Sequence, residues 1–219
     1  MPEGFQIAVL ISGRGSNLEQ IIQKNSDNYE IIGVFSNRSD AEGIGYAKRA
    51  GLKTFIFPRR NYSSGKDQKK ALYDQVNSLN PDLIILAGYM QILEGEFVRR
   101  HLGKIINIHP SLLPAFPGLS PHRQALEAGA REHGCTVHLV TEEVDAGPII
   151  AQVKLEVLAT DSETTLAARV LELEHRVYPW CIDRIGAGEI LLSGASAVAF
   201  SDSVRAEAAK CGFLLPEVG

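Results

Sequence analysis

Gln6-Ile7-Ala8-Val9-Leu10-Ile11-Ser12-Gly13-Arg14-Gly15-Ser16-Asn17-Leu18 passes from an apolar run through two glycines into a helical pattern. A run of this length reads as a buried strand over Gln6–Ser12, followed by a helix from about Asn17 to Lys24. Outward from it the same alternation repeats. Strands are expected at Glu30–Ser36, Lys53–Phe57, Leu83–Ala87 and Ile105–His109, with helices over Ala41–Ala50, Lys66–Leu79 and about Phe97–His101. Strands alternating with helices argue for a parallel sheet built from βαβ units. Past Pro114, Pro117, Gly118 and Pro121 the pattern changes, with a helix near His122–Ala128. Thr136–Val140 and Pro148–Val157 flank a turn over Glu142–Gly147 and suggest an antiparallel pair. A long helix spans roughly Ser162–Ile185, with a kink expected at Pro179 and Gly186 and Gly188 ending it. The tail, 189–219, is Ala- and Ser-rich with one or two weak strand signals.

The 219 residues carry a formal charge of −4, with 45% hydrophobic and 22% charged residues. That is an ordinary globular composition without the basic footprint of a nucleic-acid binder. The pairs Arg59-Arg60, Lys69-Lys70 and Arg99-Arg100 read as solvated faces. Met1-Pro2-Glu3-Gly4 lacks the charged start of a signal peptide, and the Ile7–Ile11 run is too short to span a bilayer. Cys135, Cys181 and Cys211 are odd in number and widely spaced, which fits neither a disulfide framework nor a metal knuckle. A reducing cytoplasm is the expected compartment, with Cys135 buried and inert.

The glycine loop Ser12–Leu18 suits an anion, because glycines let the backbone approach it and a helix N-terminus offers free N–H groups. Phosphate is the natural ligand. Any tight strand–helix turn with a Ser or Asn cap looks similar, however. The dinucleotide fingerprint fails, since Leu18 replaces its third glycine and Ser36-Asn37-Arg38 replaces the acidic end of the second strand. Arg38 leaves a 2′-phosphate on NADP as the runner-up.

Asn107-Ile108-His109-Pro110 closes a buried strand with Asn107 and His109 on one face and Ile106 and Ile108 on the other. Together an amide and an imidazole can stabilise a tetrahedral oxyanion and move a proton. Asp145, on a turn before Gly147-Pro148, is the candidate carboxylate to hold the imidazolium. No Ser or Cys has a nucleophile's context, and His109, His122, His133 and His138 lack zinc spacing. His138 reads as a satisfied core or supporting histidine, His133 as a surface or turn residue, and His101 as a helix cap.

Ile11–Leu18, Ala87-Gly88-Tyr89-Met90-Gln91-Ile92-Leu93, Asn107–Pro114 and Asp145-Ala146-Gly147-Pro148 closely resemble the folate-dependent formyltransferases, in the branch that acts on glycinamide ribonucleotide. The resemblance runs in order from about Gln6 to Ile182. It implies an α/β fold: a single open, mostly parallel twisted sheet with helices on both faces, Rossmann-like in its N-terminal half and antiparallel toward the C-terminus. It also implies one domain over 1–219, with a core of about 6–185 and a short tail, 186–219. The implied reaction transfers a formyl group from the co-substrate 10-formyltetrahydrofolate to the glycinamide amine, in purine synthesis, without a metal. Asn107, His109 and Asp145 would be catalytic. Gly15, Ser16, Asn17 and Glu174 would hold the ribonucleotide. Met90, Gln91, Ile92, Leu93, Asn107, Thr141, Glu142, Glu143, Val144 and Asp145 would hold the folate, mostly through backbone.

Two departures stand out. Ser120-Pro121 replaces a histidine the family often has after Pro-Gly-Leu. In Ser63–Asp67, where the family often has a folate-side arginine, Lys66 is the nearest cation, and it lacks the bidentate fork. The expected partners are two small molecules, with no nucleic acid and no membrane, on a monomer or a homodimer. A formyltetrahydrofolate hydrolase usually carries an extra N-terminal domain and a methionyl-tRNA formyltransferase a basic C-terminal one. Neither is expected here. A non-catalytic folate or nucleotide sensor of the same fold would have no need of Asn107, His109 and Asp145 together.

Overall fold

In the computed structural model, which describes residues 4–194 and 197–217, Ile7, Val9 and Ile11 face one helical layer while Ala8 and Leu10 face the other. This two-sided burial is why the run reads as continuous rather than alternating. The strands are β1 (Gln6–Ile11), β2 (Glu30–Ser36), β3 (Thr54–Ile56), β4 (Leu83–Leu86), β5 (Ile105–His109), β6 (Glu132–Leu139) and β7 (Ile149–Glu156). Among the described residues they form one sheet in the order β3-β2-β1-β4-β5-β6-β7. Pairings from β3 to β5 are parallel, and β6 and β7 are each antiparallel to their neighbours.

Helices α1 (Ser16–Lys24), α2 (Gly43–Arg49), α3 (Gly65–Leu79), α4 (Gly95–Arg100), α5 (Pro121–Glu127) and α6 (Glu163–Gly186) complete the layers. Leu18 and Ile21 of α1, Ile44 of α2 and Val170, Val177 and Ile182 of α6 join one core. Leu72 and Val76 of α3 and Phe97 of α4 join the other. The order turns back at β1, so the crevice between the ends of β1 and β4 is the switch point where open α/β sheets bind ligands.

Two expectations need correction. His133 is fully buried rather than at the surface, because β6 begins at Glu132 and pairing with β7 carries it inside. As expected, helix α6 ends at Gly186, where the Asn28 carbonyl leaves no room for a side chain, with Gly188 beyond it at φ 71°. The tail holds a hairpin, β8 (Ile190–Ser193) with β9 (Ala197–Phe200), and a helix, α7 (Asp202–Cys211). That helix has a Ser201 cap and ends at Gly212, and its buried Val204 and Ala208 are one turn apart. It was legible in those residues but hidden by their weak apolar content. The reading of Met1–Glu3 and the Ala195-Ser196 part of the tail lie outside the described residues. Among those described, no helix is long and apolar enough to cross a membrane.

Tyr178 of α6 stitches the sheet from beneath the site. Its buried hydroxyl lies 2.9 Å from the Leu86 carbonyl and 3.2 Å from that of Ile106, joining the ends of β4 and β5. Tyr178→Phe should cost about 1–2 kcal/mol and lower Tm by roughly 2–8 °C in a melting experiment. An unchanged Tm would show that the hydroxyl bears no load.

Candidate active site

The antiparallel register of β5 on β6 sets Asn107 opposite His138 and His109 opposite Thr136. Directly paired residues share a face, so Asn107 Nδ2 comes to 3.3 Å from His138 Nε2. His138 Nδ1 lies 2.9 Å from the Leu139 carbonyl, which places its proton there and leaves Nε2 as the acceptor. Burial pushes the His138 pKa down and keeps the ring neutral. One amide hydrogen of Asn107 is thereby occupied and the other is free for a ligand.

Asp145 reaches this pair from the turn after β6, with φ of 54°. Its Oδ2 stands 3.4 Å from His109 Nδ1, its Oδ1 3.7 Å from His138 Nε2, and Oδ2 accepts the Gly118 N–H at 2.9 Å. His109 Nε2 lies 3.0 Å from the Phe116 carbonyl. Both ring nitrogens of His109 therefore face oxygen acceptors, so that a proton on either has a partner.

Asn107, His109 and Asp145 line a cavity of ≈ 340 Å³ together with Met90, Gln91, Ile92, Leu93 and Thr141, Glu142, Glu143, Val144. Lys66 is exposed in the first turn of α3 and is not among the lining residues. Lys69, one turn on, meets this wall, donating to the Ile92 carbonyl at 2.8 Å. Reading Lys69-Lys70 as a solvated pair missed that contact, and its signal was only the one-turn spacing from Lys66.

A second, wider cleft of ≈ 800 Å³ shares Gly88, Met90, Ile108 and Pro110 with the first. Gly15, Ser16, Asn17, Arg14 and Glu174 line it, and so does His122. Gly15, at φ 76°, is the N-cap of α1 and offers no side-chain cap, so the N–H groups of Ser16 and Asn17, two residues that line the cleft, are not capped by a side chain. Arg38, the sequence's candidate for a second phosphate, is paired with Asp40 at 2.6 Å. Sequence reasoning also missed the buried His133, whose Nε2 is 3.1 Å from His122 Nδ1, with burial pushing its pKa down to about 4.

Asn17 Nδ2 donates to Glu174 Oε2 at 2.8 Å across α1 and α6. Burial pushes the Glu174 carboxyl up to about 7, against the lowering effects of Asn17 and Arg14. Between its ordinary value of 4.5 and about 7 the folded protein thus holds a proton that the unfolded chain has released. Stability from this group is lost as pH rises through that window. The Tm of the wild type should fall, relative to Glu174→Gln, as pH rises from 4.5 to about 7. Parallel curves would contradict this. Among the described residues no cluster of three or more His, Cys, Asp or Glu is arranged to hold a metal ion.

The formyl transferase family matches residues 5–182. The chain is 44% identical over 189 residues to the phosphoribosylglycinamide formyltransferase of Escherichia coli (strain K12), covering 85% of this chain and 89% of that one. It is 43% identical over 196 residues to the trifunctional purine biosynthetic protein adenosine-3 of Gallus gallus, covering 88% of this chain and 20% of that protein. A solved structure, glycinamide ribonucleotide transformylase 1 from Symbiobacterium toebii, is 40% identical with a TM-score of 0.84, covering 92% of this chain and 96% of that one.

Proposed function

The chain belongs to the formyl transferase family, and from that premise we propose that its two joined cavities bring a formyl folate and a ribonucleotide amine together. It transfers the formyl group of 10-formyltetrahydrofolate to the amine of phosphoribosylglycinamide, a step of purine biosynthesis. The observation that carries this reading is the convergence of Asn107, His109 and Asp145 in one cavity wall beside the cleft that it joins.

The ribonucleotide lies in the wider cleft, its phosphate on Gly15, Ser16 and Asn17 with Arg14 nearby, and its sugar side toward Glu174. The folate lies between the 90–93 and 141–145 segments. The amine attacks the formyl carbon. The resulting oxyanion takes one hydrogen bond from Asn107 and one from His109, whose Nε2–H turns to it from the Phe116 carbonyl, its acceptor in the resting site. Asp145 holds Nδ1 and keeps the imidazolium oriented. Attack forms the new C–N bond. The tetrahedral oxyanion then collapses, its carbonyl re-forming as the bond to the folate nitrogen breaks. The proton lost by the attacking nitrogen passes to the departing folate nitrogen.

The chain acts in this reading as one catalytic domain, as a monomer or a homodimer, in the cytoplasm. Tetrahydrofolate release should require both substrates. Release with the ribonucleotide omitted would point to a hydrolase, and binding of both ligands without turnover would point to a sensor.

A further inference from the structure

Ser12 opens the glycine loop and is only 3% exposed. Its N–H donates to the Gly88 carbonyl at 3.1 Å and its hydroxyl donates to Asn37 Oδ1 at 2.7 Å. The same oxygen accepts the Met90 N–H at 2.8 Å. A hydroxyl has one proton, so giving it to Asn37 turns the lone pairs toward Met90.

Asn37 is held in turn. Gln68, 1% exposed, donates through Nε2 to the Asn37 carbonyl at 2.9 Å and to that of Phe57 at 2.6 Å. Its Oε1 accepts from Gln91 Nε2 at 3.3 Å. The folate-side wall, 88–93, is thus tied at Met90 to Ser12, at Gln91 to Gln68 and at Ile92 to Lys69. Of these anchors only Ser12 is covalently continuous with the loop that faces the phosphate.

We propose that Ser12 is a positioning residue that couples occupancy of the glycine loop to the geometry of the folate-side wall; this rests on the function proposed above. When the loop closes on a phosphate, the Ser12 oxygen moves with it. A buried hydroxyl that lost either Asn37 or Met90 would leave a polar group unpaired, so the three groups move together. Ribonucleotide binding then sets the Met90–Leu93 backbone for the folate, and by linkage folate tightens the ribonucleotide equally. The rival route is direct contact through the Met90 side chain, which lines both cavities.

The test uses tetrahydrofolate, which has no formyl group to transfer, titrated with and without saturating glycinamide ribonucleotide. The wild type should bind tetrahydrofolate at least about fivefold tighter in the presence of the ribonucleotide. Ser12→Ala should lose that difference. Lys69→Met should bind tetrahydrofolate more weakly in both conditions and keep the difference, because it frees the wall without touching the loop. A difference that survives in Ser12→Ala overturns the proposal and favours the Met90 side chain. Should Ser12→Ala fail to fold, Met90→Ala decides, because it removes the side chain of the rival route and keeps the backbone N–H that Ser12 accepts. A ribonucleotide-dependent difference that survives in Met90→Ala supports the coupling through Ser12, and its loss overturns it. A wild type that binds neither ligand rejects the proposed function and this inference together, whereas binding of both without coupling rejects only the role of Ser12.

Discussion

Asn107→Ala and His109→Ala should each lower kcat by about 10²–10³ while leaving a folded protein. The comparison of magnitudes decides this. Each side chain offers one hydrogen bond to a developing oxyanion, worth about 3–4 kcal/mol of barrier in a site that excludes water. Its loss from the resting fold leaves one partner unpaired, His138 Nε2 for Asn107 or the Phe116 carbonyl for His109, at about 1–3 kcal/mol. Turnover therefore falls further than Tm. KM for either substrate should move much less than kcat, since the bonds strengthen only as charge develops. The double variant should lose less than the product of the single losses, because both groups serve one oxygen. Single-turnover rates and melting curves on the same preparations test all three statements. A variant with near-normal kcat would remove its residue from the mechanism.

Gly15→Ala should abolish measurable ribonucleotide affinity or weaken it by at least about tenfold, with tetrahydrofolate binding alone retained. Two physical causes act together. The φ of 76° is left-handed, a region that costs an alanine about 1–2 kcal/mol. A methyl group there would also run into the Gly43 backbone at the start of α2, which already donates its N–H to the Gly13 carbonyl at 3.1 Å. The loop cannot relax toward α2, so it must lift into the cleft and displace the N–H groups that face the phosphate. Calorimetric titration with glycinamide ribonucleotide reads the loss directly. Wild-type affinity in Gly15→Ala would mean that the phosphate is held elsewhere.

The sequence alone carried the sheet's first five strands, the antiparallel turn after them, the glycine loop and the shared face of Asn107 and His109. Each depends on a local rule: continuous apolar runs, glycine at a turn, and side chains alternating with period two. The family resemblance supplied the roles that those residues take. Where local signals were weak or misleading, tertiary packing decided. His133 went inside because pairing with β7 began the strand earlier than its own residues suggested. The contact of Lys69 with Ile92 and the bond from Ser12 to Met90 join residues 23 and 78 positions apart, and the placing of His138 beside Asn107 follows from the pairing of β5 with β6. No periodicity encodes such contacts, because they follow from strand order and register rather than from neighbouring residues.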